Sequence, residues 1–114
     1  MSGFIEFVQE RLSPLGEITT RKMFGGHCVY CDGMAFALIA NDVLYLKADK
    51  ENRAQFEAAG LEPFKPFDDQ DLVMSYYLAP PDFYDNDDAL HTWAGAALEA
   101  AKRARARKKP KKKR

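Results

Sequence analysis

A chain of 114 residues with 46% hydrophobic content suffices for one ordinary hydrophobic core and is too short for two independent ones. No apolar run approaches the roughly 18 residues that span a bilayer, and the start Met-Ser-Gly-Phe-Ile-Glu lacks the basic and apolar regions of a signal peptide. Two closely spaced cysteines, Cys28 and Cys31, do not make a secreted disulfide scaffold, so a cytoplasmic protein without membrane association is expected. The formal net charge of zero hides a segregation. Residues 1–101 hold all 17 acids against seven Lys or Arg, a balance of −10. Residues 102–114 hold Lys102, Arg103, Arg105, Arg107, Lys108, Lys109, Lys111, Lys112, Lys113 and Arg114 and no acid. The spacing and charge predict a folded domain over 1–101 and a polybasic, disordered tail over 102–114.

Phe4, Ile5, Val8 and Leu12 recur at helical spacing behind Ser2, and Pro14 with Gly16 ends the pattern, so a helix is expected over about 3–13. Ile18 to Cys31 alternates and is rich in Thr, Val and Tyr, with Gly25-Gly26 where a strand would bend or bulge. Asp32-Gly33 is a hairpin signal; Met34 to Ala40 and Val43 to Ala48 follow as strands around an Asn41-Asp42 turn. Asp49 is placed to cap a short helix through Ala59, stopped by Gly60. Pro63 to Phe67 reads as an edge strand, and Val73 to Ala79 as the last strand before Pro80-Pro81. Leu90, Trp93, Ala94, Ala97, Leu98 and Ala101 then line one helical face, with packing ending at Ala101. The order is α-β-β-β-α-β-β-α, an α+β, two-layer architecture with an antiparallel sheet and helices packed on it.

His27, Cys28 and Cys31 have a spacing that also occurs in zinc and thiol sites, and a small metal- or thiol-dependent protein is the alternative reading. Against it, strand positions 28 and 31 face opposite ways. No second cysteine pair exists, and no helix start is predicted beside Cys28 to stabilise a thiolate. Asp68, Asp69 and Asp71, and Asp82, Asp85, Asp87 and Asp88, lack the spacing of a calcium loop and read as solvated acids. Ser75 lacks a nucleophile-elbow context. Gly25 and Gly26 open onto a strand rather than a helix, which suits backbone geometry better than a phosphate cradle. Tyr30, Tyr45, Tyr76 and Tyr77 read as sheet packing, because the acidic body offers few cations between them. The tail is the strongest functional feature: its charge suits weak, non-specific nucleic-acid binding without base readout.

The order Arg21-Lys-Met23-Phe24-Gly25-Gly26-His-Cys-Val-Tyr30, then Asp-Gly33-Met-Ala-Phe-Ala-Leu-Ile-Ala, then Leu-Tyr45-Leu-Lys47, resembles the N-terminal domain of the TfoX/Sxy regulators of DNA transformation. The likeness runs from about Ser13 to Trp93. It implies the two-layer α+β fold and a stand-alone copy of that domain, without the second, C-terminal domain that full-length regulators carry. It also implies structural roles for the signature residues, with Arg21 expected in an ion pair across the sheet. Family members usually have glycine where Cys28 stands, which implies a tight site. The resemblance transfers no catalytic residue. The expected function is therefore that of a non-enzymatic regulatory or accessory protein that binds a partner protein, with no cofactor and no small-molecule substrate.

Overall fold

The computed structural model describes residues 3–23, 26–64 and 76–108. Helix α1 spans Gly3–Leu12 and passes into a 3-10 turn at Ser13–Leu15, where Pro14 ends the α-helical ladder. Four strands follow: β1 (Ile18–Met23), β2 (Gly26–Cys31), β3 (Met34–Ala40) and β4 (Val43–Lys47). Helix α2 (Arg53–Ala58) precedes β5 (Tyr76–Leu78), and a 3-10 turn at Pro81–Tyr84 leads to the long helix α3 (Asp87–Lys108). The five strands form one antiparallel sheet in chain order. This is the expected α+β architecture, with some boundaries moved.

Ile18 to Cys31 is two strands, not one bent strand: β1 and β2 pair antiparallel, with Met23 opposite Gly26. A Cβ on Gly26 would overlap the Ile39 carbonyl oxygen, which explains the glycine by close backbone approach. The bulge lies elsewhere. Tyr30 pairs with Ala35 and Val29 with Ala37, leaving Phe36 as the extra residue on β3. Phe36 and Ala37 both enter the core, and Phe36 is fully buried. Asp32-Gly33 and Asn41-Asp42 take positive φ at both positions, the geometry of tight hairpins whose twist matches that of the strands. After α2, Pro63 forms only an isolated bridge to Tyr77, Phe64 donates its N–H to the Tyr76 carbonyl at 2.7 Å, and the remainder of that expected strand falls outside the described residues. Val73 to Ser75 of the last expected strand also fall outside them.

The core sits between one sheet face and the helices. Val29, Cys31, Phe36, Leu44, Leu46 and Tyr77 from the sheet meet Val8 and Leu12 of α1, Phe56 of α2, and Leu90, Ala94, Ala97 and Ala101 of α3. The alanines of α3 let its backbone lie close to the sheet, and Trp93 reaches sideways onto Phe56 with ring centroids 5.0 Å apart. Asn86 starts α3 by accepting the Ala89 N–H on its side chain at 3.0 Å. Arg11 ties the two helices together through Asp87 at 2.9 Å.

The second sheet face carries a smaller cluster of Cys28, Leu38, Phe64 and Tyr76, flanked by Tyr30 and Tyr45. Alternation along β2 therefore sends Cys28 and Cys31 to opposite faces, as the strand reading requires.

One buried polar residue organises the junction of sheet and helix. Asn52, 4% exposed, accepts the Asp49 N–H at 2.7 Å and donates from its amide nitrogen to the carbonyls of Ala96 in α3, 3.0 Å away, and Lys47 at the end of β4, 3.4 Å away. Asn52→Ala strands these groups without water. Its expected cost is about 1–3 kcal/mol, read as a lower urea midpoint at unchanged slope. A midpoint equal to wild type would mean that the network carries no net stability.

Candidate functional site

The expected boundary at Ala101 falls inside α3, which continues without a break to Lys108. Arg103 is held there. Its guanidinium makes two hydrogen bonds to the Asp49 carboxylate, Nε to Oδ2 at 2.7 Å and Nη2 to Oδ1 at 2.9 Å, and Glu51 stands 3.6 Å from Nε. Asp49 is the turn residue that precedes α2. It does not start the helix directly, as the sequence suggested, since helical geometry begins at Arg53. Its carboxylate instead accepts the N–H groups of Glu51 at 3.0 Å and Asn52 at 3.2 Å. The Arg103 guanidinium and these amides hold the Asp49 carboxyl down to about 2.

The basic segment thus divides. Lys102 pairs with Glu99 at 3.6 Å, Arg103 is committed to Asp49, and Arg105 is exposed with no ion pair among the described residues. Arg107 and Lys108 belong to the same helix. Lys109, Lys111, Lys112, Lys113 and Arg114 lie outside the described residues.

A groove of about 360 Å³ opens between the β2–β3 hairpin and the end of α3. Tyr30, Met34, Lys47, Ala101, Ala104 and Arg105 line it. Lys47 lies on the second sheet face, its ammonium 5.1 Å from the centre of the Tyr76 ring. The Tyr30 phenol sits against the Cys28 thiol and Arg21. Arg21, expected in an ion pair across the sheet, has none among the described residues; it stands opposite Cys28 in the register. Tyr45 packs on Phe64 with centroids 4.8 Å apart, while Tyr77 stacks on Phe56 and donates its hydroxyl to Glu57 at 2.9 Å. Tyr30 and Tyr45 are half-buried and Tyr76 and Tyr77 buried, so packing accounts for the latter pair. Among the signature residues, Phe24 and Gly25 lie outside the described residues, Gly33 supplies the hairpin's positive φ, and Trp93 serves the core.

The His27, Cys28 and Cys31 constellation does not converge. His27 and Cys31 share a sheet face at opposite ends of β2, and Cys28 is on the other. Among the described residues, no three His, Cys, Asp or Glu side chains are placed to hold a metal ion. Burial pushes the Cys28 thiol up, against smaller opposing effects of Tyr30, Lys47 and Arg21. Burial, with Asp32 nearby, does the same to Cys31, whose Sγ lies 3.6 Å from the Leu15 carbonyl. Such thiols stay protonated at neutral pH and are poor nucleophiles. Of the two acidic clusters, Asp68, Asp69 and Asp71 lie outside the described residues. Asp82, Asp85 and Asp88 are exposed and Asp87 holds Arg11. Among the described residues no helix is long and apolar enough to cross a membrane. Elsewhere, Phe7 stands 43% exposed on α1, beside the Phe4 and Tyr84 rings at 6.4 and 6.0 Å.

Asn52 and Arg103 are the positions that sequence reasoning missed. Asn52 fell within the short helix expected between Asp49 and Ala59, and Arg103 within the polybasic tail; the acid that partners Arg103 is 54 residues earlier.

The chain is a small α+β domain built on one antiparallel sheet. Residues 10–101 match the family described as the TfoX N-terminal domain, and the chain belongs to that family. No curated protein matches the chain.

Two outcomes follow. Because the Asp49 carboxyl lies below its unfolded value near 3.9, its contribution is complete above about pH 4 and is lost as pH falls toward 2. Discounted for solvent at Arg103, it amounts to about 1–2 kcal/mol. Arg103→Ala should lose most of it at neutral pH and show a shallower acid limb in urea titrations; an unchanged limb would refute the pairing. Both cysteines should react with dithionitrobenzoate far more slowly in the native protein at pH 7 than in urea. Native labelling at the unfolded rate would revive the thiol reading.

Proposed function

We propose that the protein is a non-enzymatic accessory factor of the competence-regulator kind, acting in the cytoplasm. Its acidic body engages a partner protein and its basic C-terminal segment holds it on nucleic acid. The observation that carries this reading is the charge segregation, a −10 body followed by ten cations in residues 102–114. The helical continuation to Lys108 strengthens it, because it holds the first of those cations on a regular scaffold rather than on free chain. Phosphate contacts of this type position a protein without reading sequence.

The absence of enzymatic chemistry is inferred from the separated His27, Cys28 and Cys31 and from thiols kept protonated by burial. Membership of the TfoX N-terminal family supports the regulatory neighbourhood. The exposed Phe7 beside Phe4 and Tyr84 supports a protein-binding role for the body.

The test is fluorescence anisotropy of labelled DNA over a salt series, comparing the full chain with a Lys111→Glu, Lys112→Glu, Lys113→Glu variant. Binding should fall with salt along a log–log slope of roughly −0.9 per neutralised phosphate in duplex, and the variant should lose both affinity and slope. No binding at low salt, or binding indifferent to the three reversals, would remove the nucleic-acid half of the proposal.

A further inference from the structure

Phe7 is the one large apolar side chain that stands exposed among the described residues, and we infer that it anchors a docking face for a basic, amphipathic segment of a partner protein. This inference rests on the protein-binding half of the reading above and gives it a place and a partner chemistry. A lone exposed phenylalanine would be ordinary, but this one belongs to a built surface. The Phe4, Phe7 and Tyr84 rings form a triangle with centroids 6.0 to 6.4 Å apart. Tyr84 meets the buried Phe83 edge-on at 5.6 Å, so the triangle rests on the core. Arg11 pins α1 to the turn at Pro81–Tyr84 and to the start of α3, donating to the Phe83 carbonyl at 3.5 Å and to the Asp87 carboxylate at 2.9 Å. The face is therefore assembled before any partner arrives, which lowers the ordering cost of binding. Phe7 also lines a groove of about 320 Å³ with Glu10, Arg11 and Pro14. That volume is at the low end of the roughly 300–1,000 Å³ typical of ligand pockets and suits the anchoring side chain of a docked segment.

Charge decides what this face receives. Residues 3–12 and 81–88, which build it, hold Glu6, Glu10, Asp82, Asp85, Asp87 and Asp88 against the single cation Arg11, a balance of −5. Asp87 and Arg11 neutralise each other. Glu6, Glu10, Asp82, Asp85 and Asp88 are exposed, with no ion pair among the described residues. The starts of α1 and α3 return only about half a charge each. A field of this sign repels phosphate, which argues against stacked nucleic-acid bases and against an anionic bilayer. A second copy would bring the same acids against these. Residues 102–114 have the right charge but, apart from Ala104, Ala106 and Pro110, no apolar side chain to set against three rings. The occupant that satisfies both features carries large apolar side chains with Lys or Arg beside them. An amphipathic helix presents these on one face, its anchor in the groove and its cations over the Phe7 ring and the surrounding carboxylates.

The probe is a labelled amphipathic helix of leucine and lysine, with oligolysine of equal charge as control, titrated into the full chain, Phe7→Gln, and a Glu6→Lys, Glu10→Lys variant. Melting by circular dichroism accompanies each variant; all three side chains are exposed and both replacements favour helix, so the fold is expected to hold. Phe7→Gln should weaken the leucine–lysine helix about tenfold at unchanged salt dependence and leave oligolysine as it was. The double reversal should weaken both peptides and flatten the salt dependence. Amide shifts induced by the leucine–lysine helix should centre on α1 and residues 81–85. If Phe7→Gln binds that helix as the parent does and the shifts fall elsewhere on the body, the docking face fails while the protein-binding reading stands. If the parent binds neither peptide at low salt, both fall. Loss of self-association in Phe7→Gln by sedimentation, or of retention on phosphatidylglycerol vesicles, would overturn the inference in favour of a second copy or a lipid surface.

Discussion

The turn between β4 and α2 fixes helix α3 to the sheet, and the placement of the basic segment depends on it. Asn52 reaches the Ala96 carbonyl and Asp49 the Arg103 guanidinium, two turns further along the same helix. Directional contacts add to the apolar packing of Leu90 and Trp93 in setting this register. The inner face of α3 is largely alanine, and alanines at Ala94, Ala97, Ala100 and Ala101 offer a smooth surface on which a helix can slide or rotate at small cost. Directional contacts at two points remove that freedom. An amide at 4% exposure tolerates little displacement of its partners, because a broken hydrogen bond there has no water to replace it.

The same clamp decides what the cations can do. Arg103 is committed to the Asp49 carboxylate, so the acidic domain neutralises one cation of its own basic segment. Arg105, two positions past Arg103, is exposed and without an ion pair among the described residues, and it lines the groove with Tyr30 and Lys47. A body of opposite charge therefore sorts the segment into an anchoring part and a presenting part. The ion pair is partly exposed, so its hold weakens with salt, the same variable that governs any phosphate contact.

Local chemistry made much of the fold legible. Asp32-Gly33 and Asn41-Asp42 were readable as hairpins because both residues of each pair tolerate positive φ, and the Leu90, Ala94, Ala97 and Ala101 stripe announced the buried face of α3. The glycine pair misled because Gly26 is demanded by the approach of the Ile39 carbonyl, a contact between strands, while the true bulge at Phe36 carries no residue that marks it. At the candidate site, the charge of residues 102–114 was legible but the helical course of Lys102 to Lys108 was not. Composition alone describes Arg103 as one more solvated cation, and only the fold brings Asp49 to it. Arg21, expected in an ion pair, has Tyr30 and Cys28 as its neighbours among the described residues.

Helix α3 continues as ordered helix past Ala101 under the hold of Asp49 and Asn52. Backbone chemical shifts and amide hydrogen exchange of residues 102–108 in the full chain test it most directly. Helical shifts through Arg105 and slowed exchange that fades toward Lys108 are expected. Coil shifts with unprotected amides from Lys102 onward would contradict it, and would return the basic segment to a free tail.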